Sequence, residues 1–166
     1  MHEVTVLIVE DNADLLELLL QSLPDLGGFR VFGAKDGFDG LLQFERLRPD
    51  CAVVDIRMPE LNGYQFVRAL RGDPTTAQTP LIILTALQTD RDRFAGLASG
   101  ADLFLNKPIL PFDLAQAIQQ VLARTAAERA AAYDALVEQS AEQGILDGRA
   151  EERYSLPSFP FFEQPG

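Results

Sequence analysis

Five side chains in this sequence have the chemistry to handle a charged ligand, and each stands where an apolar run gives out. Glu10 and Asp11 follow Val4 to Val9 (VTVLIV), and Asp55 ends Cys51-Ala52-Val53-Val54. Thr85 follows Pro80 to Leu84 (PLIIL), and Lys107 comes two residues after Leu103-Phe104-Leu105. Three carboxylates brought together repel one another unless a cation lies between them. An all-oxygen donor set with room for water suits Mg²⁺, which typically takes one or two carboxylates plus a substrate phosphate. An ammonium and a hydroxyl beside such a cation complete a place for a phosphoryl group. Singly, these residues say little. A strand-end aspartate is commonly a helix cap, and Glu10-Asp11 would complement the dipole of any helix N-terminus. The weight comes from four strand ends, each carrying a suitable group.

Bringing them together requires a particular set of elements. Asn12 can cap a helix from Ala13 to Leu23 with Leu15, Leu16, Leu19, Leu20 and Leu23 as its apolar stripe. Pro24 and Gly27-Gly28 are expected to end it. Phe29 to Ala34 is a shorter strand, and Asp36-Gly37 opens a helix carrying Phe38, Leu41, Leu42 and Phe44. Gly40 weakens that helix by about 1 kcal/mol relative to alanine. After the strand at 51–55 come a helix from Gly63 to about Arg71 and a polar loop to Thr79. The strand at 80–84 is followed by a helix from Asp90 to Ser99, closed by Gly100 in the left-handed conformation. A short strand at 103–105 precedes a long helical pattern that opens at Pro111. Strands alternating with helices predict an α/β fold, a doubly wound five-stranded parallel sheet with right-handed crossovers. In such a sheet ligands bind at the C-terminal strand edge, and the first strand lies centrally beside the third, so Glu10, Asp11 and Asp55 become neighbours.

A formal net charge of -11 argues against a large phosphate-binding surface, so direct DNA binding by this chain is not expected. The single cysteine, Cys51, lies in an apolar strand and is expected to be a small core residue. The chain starts without a signal-peptide pattern and has no apolar run long enough to span a bilayer, so a cytoplasmic protein is expected.

The segments LIVED at 7–11, VVDIRMPELNG at 53–63, ILTAL at 83–87 and GADLFLNKP at 100–108 resemble the receiver domain of two-component response regulators. The resemblance covers about residues 4 to 124 and implies the flavodoxin-like strand order 2-1-3-4-5. It implies Asp55 as phosphoacceptor, taking a phosphoryl group from a sensor histidine kinase or phosphotransfer protein, with Mg²⁺ held by Glu10, Asp11, Asp55 and the backbone carbonyl of Arg57. Lys107 would pair with the carboxylate and then with the phosphoryl oxygen. Thr85 would hydrogen-bond the attached group, and Ala86 would leave room for the donor. Such a chain is no ordinary enzyme: it catalyses its own phosphorylation and a slow dephosphorylation. Arg57 and Leu87 flank the phosphoryl group and would set its lifetime, and an apolar Leu87 cannot orient a hydrolytic water. Phe104 takes the position of a switch aromatic, where tyrosine or histidine is more usual, and serves equally well as plain core. Lys107-Pro108 would be cis. Two other aspartyl or phosphate-binding classes fit less well. An aspartyl phosphohydrolase commonly places a second aspartate where Arg57 stands, and a flavin or nucleotide carrier wants a glycine- or hydroxyl-rich loop in place of Glu10-Asp11-Asn12-Ala13. A receiver fragment of a larger regulator, or a pseudo-receiver that binds partners unphosphorylated, are the alternatives.

The remaining chain is expected to be a helical extension over 125–143 and a tail over 144–166, rich in proline and aromatic residues, that is disordered or docks. Leu122, Ala126, Arg129, Tyr133, Leu136 and Ser140 approximate a short heptad seam; the extension is either a solvated or self-packed helical arm or, through that seam, a dimerising arm (a homodimer) or a connector to an output partner.

Overall fold

The computed structural model describes residues 2–86 and 98–142 of the chain. Five parallel strands form one sheet in the order β2-β1-β3-β4-β5, as expected. They are β1 (Thr5–Val9), β2 (Arg30–Ala34), β3 (Cys51–Asp55), β4 (Leu81–Thr85) and β5 (Leu103–Asn106). The helices whose bounds lie within the described residues are α1 (Ala13–Gly27), α2 (Gly37–Leu47), α3 (Gly63–Gly72), α4 (Pro111–Leu122) and α5 (Ala126–Glu142).

Alternate residues of each strand point to opposite faces, and both faces are covered. Leu7, Val9, Ala52, Val54, Leu81 and Ile83 pack with Phe44 of α2 and with Phe66, Val67 and Leu70 of α3. Val6, Ile8, Cys51, Val53, Ile82 and Leu84 pack with Leu19 and Leu23 of α1 and with Leu114, Ile118 and Val121 of α4. The rings of Phe44 and Phe66 meet edge to face, 6.4 Å between centroids, and lock α2 to α3. Gly40 has a packing role that offsets its weak helix propensity: a Cβ would come within 2.9 Å of Val9 and 3.0 Å of Phe66, so its absence lets α2 lie close to β1.

Three local expectations are corrected. The first helix does not end at Pro24 but contains it and runs to Gly27, where the Gly28 N–H donates to the Pro24 carbonyl at 2.8 Å. Burial of Leu19 and Leu23 outweighs the loss of one helical hydrogen bond. The fourth strand reaches Thr85 and does not stop at Leu84. The helical pattern from Pro111 is broken at 123–125 into α4 and α5. Thr125 and Glu128 form a reciprocal cap: the Thr125 N–H donates to Glu128 Oε2 at 2.8 Å, and the Glu128 N–H to Thr125 Oγ1 at 3.1 Å. That arrangement starts a new helix. Of the expected helix over Asp90 to Ser99, only Ala98 and Ser99 lie within the described residues; both are helical, and Gly100 follows with φ 91°. Leu87 and the tail over 144–166 lie outside them.

Candidate functional site

Register decides which strand ends meet. Val9 pairs with Val54, so the residues after β1 stand beside the end of β3. Asp55 pairs with Leu84, and Thr85 with Asn106, which sets β4 and β5 at the same level. The turn or cap behind each strand then fixes its end in place. Asn12 accepts from the Leu15 N–H at 3.1 Å and caps α1, while its own N–H donates to Glu10 Oε1 at 3.2 Å. Behind Asp55 the chain turns through Glu60 (φ 66°) and re-enters α3 through a double cap between Asn62 and Gln65, both bonds 2.9 Å. A Cβ on Gly63 would lie 2.5 Å from the Asp55 carbonyl oxygen and 2.9 Å from Ile56 Cα. Only glycine lets α3 begin this close to the carboxylate strand.

The result is an open pocket of about 410 Å³ lined by Glu10, Asp11, Asn12, Asp55, Arg57, Ala86 and Lys107. One oxygen from each of Glu10, Asp11 and Asp55 lies within 4.8 Å of the others. Glu10 and Asp55 are buried, whereas Asp11 is exposed. Two inner carboxylates and one outer one leave water a share of the coordination shell, which fits a hard cation such as Mg²⁺. Lys107 Nζ donates to both Glu10 oxygens, at 3.1 and 3.0 Å, and lies 3.2 Å from Asp55 Oδ1. Sequence reasoning paired Lys107 with Asp55; the tighter bond to Glu10 is new. Thr85 is buried at the end of β4, and its carbonyl accepts from the Lys107 N–H at 2.7 Å. The pocket wall there is the next residue, Ala86. Lys107-Pro108 is cis. Phe104 is half-buried against the core that contains Phe66 and Ile83.

Charge in the pocket is unevenly held. Burial, then the charge of Glu10, pushes the Asp55 carboxyl up to about 6, with Lys107 pulling the other way. Burial alone would lower Lys107, but the hydrogen bond to Glu10 and the charges of Asp55 and Glu10 hold it above the ordinary lysine range. A cation beside Asp55 would offset that cost of burial.

The family model of the response regulator receiver domain matches residues 6–119. The chain belongs to the response regulator receiver family. Its receiver domain is 41% identical over 120 residues to a probable transcriptional regulator, ycf27, of Guillardia theta, covering 72% of this chain and 46% of that protein. It is 38% identical over 128 residues to the response regulator MprA of Mycobacterium tuberculosis, covering 77% and 54%. The chain spans about half the length of these curated relatives. Among solved structures, the chemotaxis response regulator CheY4 of Vibrio cholerae superposes with TM-score 0.67 at 31% identity, covering 72% of this chain and 99% of that one. Receiver domains bind Mg²⁺ at an acidic pocket and interact with histidine kinases or phosphotransfer proteins, and the carboxylates at the strand ends of this receiver form such a pocket.

One polar cluster went unforeseen. At the opposite, N-terminal edge of the sheet, Asp102 Oδ2 accepts from Arg71 at 3.0 Å, from Arg129 at 3.2 Å and from the Leu81 N–H at 2.9 Å. The signal available in sequence was Thr125-Ala126-Ala127-Glu128, a capping box that places Arg129 in the first turn of a new helix.

Proposed function

We propose that Asp55 accepts a phosphoryl group from the phosphohistidine of a sensor histidine kinase or phosphotransfer protein, in a reaction that needs Mg²⁺. Glu10, Asp11, Asp55 and the Arg57 backbone carbonyl would hold the ion. The observation that carries the reading is Lys107 Nζ, 3.2 Å from Asp55 Oδ1 inside an open three-carboxylate pocket. Bound Mg²⁺ supplies neutralising charge to the carboxylates and to the incoming phosphoryl oxygens. An Asp55 oxygen attacks phosphorus, the N–P bond to the donor imidazole breaks, and its electron pair stays on the imidazole nitrogen, which takes up a proton. Lys107, held cationic by Glu10 and Asp55, pairs with a phosphoryl oxygen. The Thr85 hydroxyl donates to another once the group is attached, and Ala86 leaves the donor room. The added charge and acceptor oxygens draw Thr85 toward Asp55, and Phe104, on the adjacent strand, turns inward as the switch. Arg57 and Leu87 set the lifetime of the phosphoryl group.

The signal then leaves by protein contacts in the cytoplasm, and α5 is the element offered for them. A phosphorylation-dependent dimer in sedimentation would make a second copy the partner; a strict monomer in both states points to an output protein. The central test is incubation with acetyl phosphate and Mg²⁺, followed by intact-mass measurement. One phosphoryl group is expected on the wild type and none on Asp55→Asn; a gain of mass that survives the substitution would overturn the assignment.

A further inference from the structure

At the sheet edge remote from Asp55, Arg129 ties the extension to the receiver. Arg129 Nη1 reaches Asp102 at 3.2 Å, and Nη2 donates to the Gln78 carbonyl at 2.5 Å. The side chain is only 10% exposed, and Ala132, Tyr133, Leu136 and Val137 on the same face of α5 are half-buried. This face carries much of the heptad seam, Arg129, Tyr133 and Leu136 included.

Two features show that this fastening is separable from the fold beneath it. First, Asp102 does not depend on Arg129. Arg71 pairs with it at 3.0 Å and also donates to the carbonyls of Gly100, Ala77 and Thr79 at 2.9, 2.9 and 2.7 Å, while the Leu81 N–H supplies a further bond to Asp102. Removing Arg129 therefore leaves a balanced, hydrogen-bonded pair, whereas removing Arg71 would strip three loop carbonyls of their donor. Arg129 brings a second positive charge to a carboxylate already neutralised, and its Nε is buried without a hydrogen-bond partner among the described residues. Its docked state thus carries a desolvation cost that its release would relieve. Second, α5 does not depend on α4 for its start. The Thr125–Glu128 cap closes its N-terminus, and only residues 123–125 join the two helices.

We propose that Arg129 is a latch: it holds the extension against the N-terminal edge of the receiver, and it opens by rotation about residues 123–125 with the receiver intact. The extension is then a movable element whose seam face is withheld while the latch is closed. The latch rests on the Arg71–Asp102–Arg129 geometry and not on the reading of Asp55.

The test is hydrogen exchange on the full 166-residue chain, comparing wild type, Arg129→Ala and Arg71→Ala. In Arg129→Ala the amides of 126–142 are expected to exchange on the order of tenfold faster, while those of β4 and β5 keep their wild-type protection and acetyl phosphate still labels Asp55. In Arg71→Ala the β4 and β5 amides also lose protection. The latch is overturned if 126–142 exchanges equally in wild type and Arg129→Ala, or if Arg129→Ala loosens the strands as Arg71→Ala does. Failure of the Asp55 reading would appear only in the mass measurement.

Discussion

Asp55 shows how one carboxylate can be costly to the fold and useful to the site. With its folded pKa raised to about 6 from 3.8, the folded chain binds more protons than the unfolded chain between those values. Stability therefore falls as pH rises from about 4 to about 6, and above about 6 the whole cost of the ionised group is present. Asp55→Asn removes that charge. Chemical denaturation of the metal-free protein at pH 7 should show the variant more stable by on the order of 1–3 kcal/mol, and the advantage should vanish near pH 4. No gain at pH 7 would mean that the ionised carboxylate costs the fold little and that its pKa is not raised in the folded state. Mg²⁺ affinity should have the matching dependence, weakening as pH drops through about 6, because a proton on Asp55 would compete with a cation at these carboxylates.

At the scale of elements, the turn between β3 and α3 governs how the carboxylate is presented. Gly63 and Gly72 make a paired experiment at the two ends of α3. A methyl at 63 meets the backbone of Asp55 and Ile56 at 2.5 and 2.9 Å, whereas no described residue lies within 4 Å of one at 72. Gly63→Ala should destabilise by about 2 kcal/mol or more and slow acetyl-phosphate labelling, because α3 and Asp55 cannot both keep their places. Gly72→Ala should stabilise by about 0.5–1 kcal/mol; thermal denaturation of the two variants checks both signs. The elements themselves were largely legible in the sequence, because buried parallel strands announce themselves as unbroken apolar runs. Polar groups could be read at four of the five strand ends, and the structure brings those of β1, β3 and β5 into one pocket with Thr85 buried at the end of β4. What escaped was set by packing and by local capping. Pro24 is tolerated because Leu19 and Leu23 of the same helix are buried against the sheet, and no local preference reports that. The Thr125–Glu128 cap was written in the sequence but lay inside an alanine-rich stretch whose helical propensity hid the break. The Lys107–Glu10 bond depends on strand order and side-chain reach together, so residue types alone pointed to the lysine without naming its tighter partner.

The whole molecule divides its polar work between the two ends of one sheet: the acidic pocket at the C-terminal edge and the arginine-clamped Asp102 at the other. Between them the sheet is apolar on both faces, and the single cysteine sits in it. Cys51 is 0% exposed at the start of β3, between β1 and β4, and burial pushes its thiol far above the range in which thiolate forms. A thiol reagent can reach it only when the sheet opens, so the chain carries its own gauge of unfolding with no second thiol to confuse the reading. A cation that binds only the folded state lowers the open population by the factor 1 + [L]/Kd, so Mg²⁺ at tenfold its Kd should slow labelling of Cys51 about elevenfold. Chelation should restore the faster rate, and Asp55→Asn should lose most of the response. Equal labelling rates with and without Mg²⁺ would count against a cation at the three carboxylates. The residue that takes no part in the chemistry thus becomes the means of watching the site, from the middle of the sheet that supports it.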